Sequence, residues 1–281
     1  MSLSNRSLFV TLAAATLLSH VVSLRAQDNP AQWSVYSTDH YQLLYHPANE
    51  ADARKVKGFL DAGVASLKKE FAEFPVDDLL RVNCRIFLHP GRTDRASEYQ
   101  ATITTGRENG KYYAVIDLLT PSAYGPNYRS NVNEPAGDDY FSKLVMHEYS
   151  TILLEQLTRS KKAGWTYFSA PRWWVDGYEE YLALMHSTPR NRNEVLRKYL
   201  AVHKGDPDRI AFDYGIGVKD DYIDGALLLL FMHETFGKEK VHAVLASEAP
   251  WFGKAMASAL GVGLDEFKKR WDEWLKQKLR S

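Results

Sequence analysis

The chain of 281 residues has one cysteine, Cys84, and therefore cannot form an intramolecular disulfide. Cys84 lies in the apolar run RVNCRIFLHP, which predicts a buried strand and favours its interpretation as a small core residue. Without disulfides, the stability of the fold must come from a hydrophobic core. The sequence therefore argues against a redox function.

The sequence also lacks an excess of charge, because 35 Lys and Arg residues are balanced by 35 Asp and Glu residues. No basic excess indicates nucleic-acid binding, and no long run of like charge indicates a membrane surface. A hydrophobic content of 45% is typical of a globular chain that forms one large domain or two subdomains. The function must therefore come from specific residues.

Residues 1–26 have the pattern of a secretory signal peptide. Arg6 supplies a positive charge, the apolar run LFVTLAAATLL follows it, and SLRAQ offers a cleavage site after Ala26. Ser19 and His20 interrupt the apolar region, which makes it short for a membrane span. We expect export to the periplasm or the extracellular space, with no stable membrane span after cleavage. Cleavage after Ser23, or retention of the segment as an anchor, stays open.

Residues 27–137 predict an αβ subdomain. The alternating segments WSVYST and YQLLYHP predict a hairpin around Asp39-His40, and apolar residues at helical spacing predict a helix over 49–74. VNCRIFL and KYYAVIDLL predict two further strands. A loop rich in Pro, Gly and Asn follows them.

Residues 138–281 predict a mainly helical subdomain. Helices are expected to begin at Asp138 or Asp139 and near Trp173, Asn193, Tyr222 and Leu264, and the helix that begins near Tyr222 should end at Gly237. The predicted fold class is therefore α+β, with a small mixed sheet followed by a helical half.

The run LVMHEYSTILLEQL places the pair His147-Glu148 on a predicted helix. Hydrolytic zinc sites use the helical motif HExxH, in which two histidines one turn apart bind the metal and the glutamate is the general base. Here the motif reads His147-Glu148-Tyr149-Ser150-Thr151, so a hydroxyl replaces the second histidine. A further pair, His233-Glu234, has no neighbouring motif that suggests chemistry.

Downstream segments distinguish the first His-Glu pair from the second. PRWWVDGYEEYLA resembles the PxWxxEGxAEY segment of gluzincin metallopeptidases, and DYIDGALLLLFMHETFG and LGVGLDEFKKRWDEWL resemble the helical tail of the peptidase MA-like family in that clan. The resemblance covers residues 138–281 and, more loosely, the αβ half. It implies a zincin-like helical subdomain with a zinc peptidase site.

The resemblance implies a role for each matching residue. His147 matches the first zinc ligand and Glu148 the general base, while Thr151 occupies the position of the second ligand. Asp176 matches the third ligand as a carboxylate that is one methylene shorter. Glu180 matches the acidic residue that orients the first histidine through its other ring nitrogen.

Three tyrosines have roles that the resemblance implies less directly. Tyr222 is the candidate for a donor that stabilises the transition state. Tyr112 and Tyr113 lie on the strand that corresponds to the edge strand of gluzincins, which pairs with an extended substrate. The expected partner is therefore a peptide or protein segment in the cleft.

The predicted metal site lacks a ligand. Catalytic zinc normally has three protein ligands and one open position, so we expect zinc to be weakly held or absent here. One hypothesis is an exported pseudoenzyme with a degenerate site, and another is a working zinc hydrolase. In the hydrolase, His147, Asp176 and a further donor, either His186 or a carboxylate, would complete the site. The third hypothesis is a secreted structural or peptide-binding protein.

The same residues also have purely structural interpretations. His147 can be a satisfied interior histidine, and Asp176 can be the N-cap of its helix. Glu179 and Glu180 then form a half-solvated helix face.

Overall fold

The structure, a computed structural model, is described for residues 33–91, 101–124, 137–187, 192–202 and 220–280. Within these residues, the strands lie in the N-terminal half and the C-terminal half is helical, so the predicted α+β class is confirmed. The predicted signal peptide lies outside the described residues, and the subdomain boundary at 137 stays a prediction. No helix in the described ranges is both long and apolar enough to cross a membrane.

A five-stranded mixed sheet forms the N-terminal half. Its strands are β1 (Ser34–Ser37), β2 (Gln42–Tyr45), β3 (Asn83–His89), β4 (Ala101–Glu108) and β5 (Lys111–Leu119). They are arranged in the order β1-β2-β3-β5-β4, with antiparallel β1–β2 and β4–β5 pairs and a parallel centre. The predicted first hairpin is confirmed, and the Thr38 hydroxyl oxygen accepts hydrogen bonds from the backbone N–H groups of His40 and Tyr41 in its turn.

Strand β5 lies inside the sheet, so the prediction that Tyr112 and Tyr113 lie on an edge strand is wrong. β5 pairs with β3 on one side and with β4 on the other. The sequence analysis missed β4, in which Gly106 faces Tyr113 across the ladder. A Cβ at Gly106 would lie 2.7 Å from the Tyr113 hydroxyl, so the glycine makes room for the tyrosine ring.

Nine α-helices are present in the described part of the chain. They are α1 (Glu50–Glu70), α2 (Val76–Leu80), α3 (Asp138–Arg159), α4 (Arg172–His186), α5 (Arg192–Val202), α6 (Ile223–Phe236), α7 (Lys238–Ala246), α8 (Phe252–Leu260) and α9 (Leu264–Lys278). The predicted helix starts are confirmed to within about a residue. Gly237 ends α6 as predicted, with φ +85°. Helices α2, α7 and α8 were not predicted.

Helix α3 is the central element of the fold. Sixteen of its 22 residues are buried, because α1, α4 and the sheet pack around it. Burial on all sides explains why its sequence has no apolar stripe. Several of the buried residues are polar, among them Lys143, His147, Thr151 and Glu155.

Helices α4 and α6 cross at two glycines. A Cβ on Gly177 would lie 2.5 Å from the backbone of Gly225, and a Cβ on Gly225 would collide with the carbonyl oxygen of Trp173. Only glycine therefore lets the two backbones approach this closely. The crossing fixes the start of α6, including Tyr222, against the turns of α4 that contain Asp176.

Replacing Gly225 by alanine should destabilise the fold. We expect Gly225→Ala to lower the free energy of unfolding by about 1–3 kcal/mol or more, because backbone would have to move. Gly58→Ala, on the exposed face of α1 with no atom within 4 Å of the new Cβ, is the matched control and should stabilise by about 0.4–1 kcal/mol. Urea unfolding measures both changes, and equal small effects would contradict the close crossing.

Candidate functional site

Residues of α3 and α4 meet in a buried polar cluster. His147 and Thr151 lie one turn apart on α3 and face Glu179 and Glu180 on α4. Glu179 is 5% exposed and Glu180 is 7% exposed, so the interpretation of this pair as a half-solvated face is wrong. Both carboxylates are buried because α4 packs between α3 and α6.

The His147 ring lies between two carboxylates. Its Nδ1 is 3.3 Å from Glu180 Oε2, and its Nε2 is 3.4 Å from Glu179 Oε2. The Nδ1 contact joins the two residues that the sequence analysis predicts to interact, although as a close ionic contact without hydrogen-bond alignment. The Nε2 contact was not predicted, and it occupies the nitrogen that would face a metal ion.

Glu180 has the strongest set of partners in the cluster. Lys143 Nζ lies 3.1 Å from Glu180 Oε1, and the Tyr199 hydroxyl donates to the same oxygen. Burial alone would raise the pKa of Glu180, but the charge of Lys143, the contact with His147 and the Tyr199 hydroxyl lower it to about 2. Glu180 is therefore ionised at neutral pH.

The hydrogen-bond donors to the Glu179 carboxylate are two uncharged hydroxyl groups. Thr151 Oγ1 donates to its Oε1 at 2.6 Å, and the Tyr167 hydroxyl lies 3.2 Å from the same oxygen. Burial raises the pKa of Glu179 to about 7, against the opposing effects of His147 and Thr151. Burial would lower the pKa of His147, but Glu180, Glu179 and Glu148 raise it to about 9. The cluster therefore holds its protons to unusually high pH.

Asp176 lies in the second turn of α4 and is paired with Arg172. The distances from Asp176 Oδ2 to Arg172 Nη2 and Nε are 2.7 and 2.8 Å. The interpretation of Asp176 as an N-cap is wrong, because α4 begins at Arg172 with Pro171 as its N-cap. One carboxylate oxygen of Asp176, Oδ2, is thus held by a guanidinium group.

Glu148 and Tyr222 complete the surroundings of His147. The Tyr222 ring stacks on the His147 ring, with 5.5 Å between centroids. Glu148 is half-buried and has no hydrogen bond or ion pair to any described residue. Burial raises the pKa of Glu148, and the Asp176 charge adds to this against the opposing effect of His147. Tyr222 thus lies beside His147, while its catalytic role stays a prediction.

The donors around His147 do not fit a zinc ion in this arrangement. The Thr151 hydroxyl donates a hydrogen bond to Glu179, and Asp176 pairs with Arg172. Nε2 of His147 faces the Glu179 carboxylate. His186 does not supply the missing ligand, because it lies ten residues after Asp176 on α4, about 15 Å along the helix. Its Nε2 is 3.5 Å from Glu70 Oε2 instead.

A different group of side chains has the spacing of metal ligands. Among the residues that the structure describes, Glu70, His233 and His242 each offer a ligand atom within 4.8 Å of the other two. The sequence analysis set His233-Glu234 aside, because nothing near it in the chain suggests chemistry. Its neighbours come from distant parts of the sequence, so no local motif could have revealed them.

Comparisons with known proteins add little to this geometry. No family model and no curated protein matches the sequence. A crystal structure of Legionella pneumophila aminopeptidase A in complex with aspartic acid is similar, with a TM-score of 0.48 and 14% sequence identity. The similarity covers 85% of this chain and 28% of that chain, so this chain spans less than a third of that protein. A similarity at this level supports no conclusion about activity.

The protonation of the cluster predicts a pH-dependent stability. The pKa values of Glu179 (about 7, normally 4.5) and His147 (about 9, normally 6.5) are both raised by folding. The folded chain therefore binds more protons than the unfolded chain. The stabilisation of the fold by these two groups decreases as the pH rises from 5 to 9. Glu180 has a lowered pKa, so its contribution to the stability of the fold decreases only as the pH falls below about 4.5.

Between pH 5 and 9, the free energy of unfolding of Glu179→Gln should therefore fall by at least about 1 kcal/mol less than that of the wild type. Urea unfolding at several pH values measures this slope. Glu266→Gln, at an acid of α9 that pairs with Arg270 on the surface, is the control and should keep the wild-type slope. An unchanged slope in Glu179→Gln would show that Glu179 is ionised throughout this range.

Proposed function

We propose that this chain is an exported, gluzincin-like protein of the peptidase MA-like type whose zinc position is taken by its own Glu179 carboxylate. It binds an extended peptide segment and hydrolyses it weakly or not at all. The observation that carries the proposal is the 3.4 Å contact between His147 Nε2 and Glu179 Oε2. Because Nδ1 of His147 faces Glu180, Nε2 is the ring nitrogen that remains to bind a metal.

The neighbouring residues support a site that is complete without a metal. Thr151, at the position of the second ligand, holds Glu179 with a hydrogen bond of 2.6 Å. Opening the site would require a buried contact between an imidazolium and a carboxylate to break. The arrangement therefore disfavours metal entry at His147.

Strand β4 supports the peptide-binding part of the proposal. It is the edge of the sheet among the described strands, so one side of its backbone can pair with an extended segment. Tyr222, which is 41% exposed, offers an aromatic ring beside His147. The export part rests on the signal-like sequence of residues 1–26.

Restoring the missing metal ligands should restore metal binding. We expect the triple variant Thr151→His, Asp176→Glu, Glu179→Ala to bind one more zinc ion per chain than the wild type, because Nε2 of His147 then faces a second imidazole and a longer carboxylate. Mass spectrometry of the dialysed chains counts the zinc. Adding His147→Ala to the triple variant is the control and should remove the gained ion.

The zinc count is taken relative to the wild type because Glu70, His233 and His242 can also hold an ion. A triple variant that folds by circular dichroism but gains no zinc would refute the assignment of residues 147, 151 and 176 to ligand positions.

An active hydrolase is the second candidate. The observation in its favour is Glu148, a half-buried carboxyl with a raised pKa and no ion pair to a described residue. Such a group has the properties of a general base. Glu148 also lies beside Tyr222, the candidate donor.

Peptide cleavage by wild type and Glu148→Gln separates the two candidates. The pseudoenzyme predicts that the wild type cleaves a mixed peptide library weakly or not at all, measured by mass spectrometry, and that Glu148→Gln leaves this level unchanged. The active hydrolase predicts wild-type cleavage that Glu148→Gln reduces at least 100-fold, the usual lower range for losing a general base. Cleavage lost in this way would overturn the leading proposal.

A further inference from the structure

Three helices contribute possible metal ligands to a second cluster. It lies near the C-terminal end of α4, away from His147. Glu70 is the last residue of α1, His233 lies in the last turn of α6, and His242 lies within α7. His242 Nε2 is 3.4 Å from Glu70 Oε1. Two ligand atoms that each lie about 2.1 Å from a tetrahedral zinc ion are about 3.4 Å apart. The observed spacing fits a ligand pair, and it equally fits an ion pair of the kind that His147 makes with Glu179.

Two imidazole nitrogens in this cluster have no hydrogen-bond partner. Nε2 of His242 and Nε2 of His233 are both buried, and neither makes a hydrogen bond to a described residue. His242 is 1% exposed. Native proteins rarely leave buried polar atoms unpaired. A protonated His242 between Glu70 and Glu73 would explain one of these nitrogens, but it leaves Nε2 of His233 without an explanation.

The other nitrogen of His242 is fixed by a carboxylate. Its Nδ1 is hydrogen-bonded to Glu73. This is the arrangement found behind metal-binding histidines, where a carboxylate sets the tautomer and directs Nε2 at the ion. Ring stacking holds both imidazoles in place: His242 stacks on Phe71 and His233 on Tyr181, each with centroids 4.5 Å apart.

The electrostatics of this region favour a cation. Helix α1 ends at Glu70, α4 ends at His186 and α6 ends at Phe236, so three negative helix ends converge. The carboxylates of Glu70 and Glu73 add two negative charges. Lys238 opposes them, but its ammonium donates to the Glu70 carbonyl oxygen at 2.9 Å and is held at the helix end.

A cavity lies beside the cluster. It has a volume of about 590 Å³, and its lining includes Glu73, Phe74, Lys238 and His242. The cavity therefore borders His242, whereas its lining includes neither Glu70 nor His233.

We propose that Glu70, His233 and His242 bind one divalent transition-metal ion, of which zinc fits the donors best. Two imidazoles and one carboxylate suit zinc, whereas magnesium and calcium prefer sites made of oxygen atoms. Three protein ligands leave one tetrahedral position to solvent. Glu73 acts as a positioning residue behind His242, and His186 as one beside Glu70. The bound ion joins α1, α6 and α7.

Zinc titration of the full chain tests the proposal. The chain is prepared without a polyhistidine tag, treated with chelator, dialysed and titrated with ZnCl2. We expect one zinc per chain and a higher Tm, because an ion that binds only the folded chain stabilises it. His233→Gln and His242→Gln should each bind zinc at least tenfold more weakly, and Glu73→Gln should bind about tenfold more weakly.

His147→Gln is the matched control and should keep the zinc, because His147 belongs to the other cluster. A wild-type chain that holds no zinc and shows no change in Tm would overturn the proposal. So would His233→Gln and His242→Gln chains that bind as the wild type does. Zinc lost in His147→Gln but kept in His242→Gln would contradict this proposal and the proposed function together, whereas the other outcomes bear on this cluster alone.

X-ray absorption of the zinc-loaded wild type avoids any dependence on the folding of variants. We expect two imidazole ligands and at least one oxygen ligand around the ion. A spectrum without imidazole ligands would overturn the proposal.

Discussion

The contact between α3 and α4 depends on the neutralisation of two adjacent buried carboxylates. Glu179 and Glu180 are neighbours in the chain and both lie below 10% exposure. Two ionised carboxylates could not both be buried there without compensation. Lys143 and Tyr199 compensate Glu180, Thr151 and Tyr167 bind Glu179, and His147 lies between the two. The central helix is therefore tied to its neighbour by charge as well as by apolar packing.

The burial of the Glu179 carboxylate explains the threonine at position 151. The sequence presents it as a lost ligand, whereas its hydroxyl is a donor that Glu179 needs. Asp176 is similar, because its oxygen pairs with Arg172 one turn earlier on α4. The departures from the gluzincin pattern thus fit one another. Thr151 and Asp176 each bind a protein group in place of a metal.

Local patterns predicted much of the fold and less of the site. The α+β class, the first hairpin and most helix starts follow from apolar spacing, from turn residues and from Gly237. Strand β4 was missed because its sequence, ATITTGRE, has few apolar residues and contains a glycine whose role is to admit the Tyr113 ring. The error at β5 follows from that omission, since a strand next to an unrecognised strand is taken for an edge.

The candidate site was predicted only where its residues lie close together in the chain. The spacing of His147, Thr151, Asp176 and Glu180 was visible as a motif, and of these residues His147 and Glu180 do lie in contact. The burial of Glu179 was not visible, because α4 has polar residues on a face that only the packing of α3 encloses. Sequence patterns report which residues share a helix face, but not what covers that face.

The two polar clusters differ in how many imidazoles share their carboxylates. In the cluster around His147, both ring nitrogens face carboxylates within 3.4 Å. In the cluster around His242, both nitrogens of His242 also face carboxylates, but Nε2 of His242 and Nε2 of His233 are buried without a hydrogen bond to any described residue. A cation resolves the second arrangement by binding those nitrogens and neutralising Glu70, while it would have to displace Glu179 in the first. The sequence motif and the metal-binding geometry therefore lie in different parts of the same helical half.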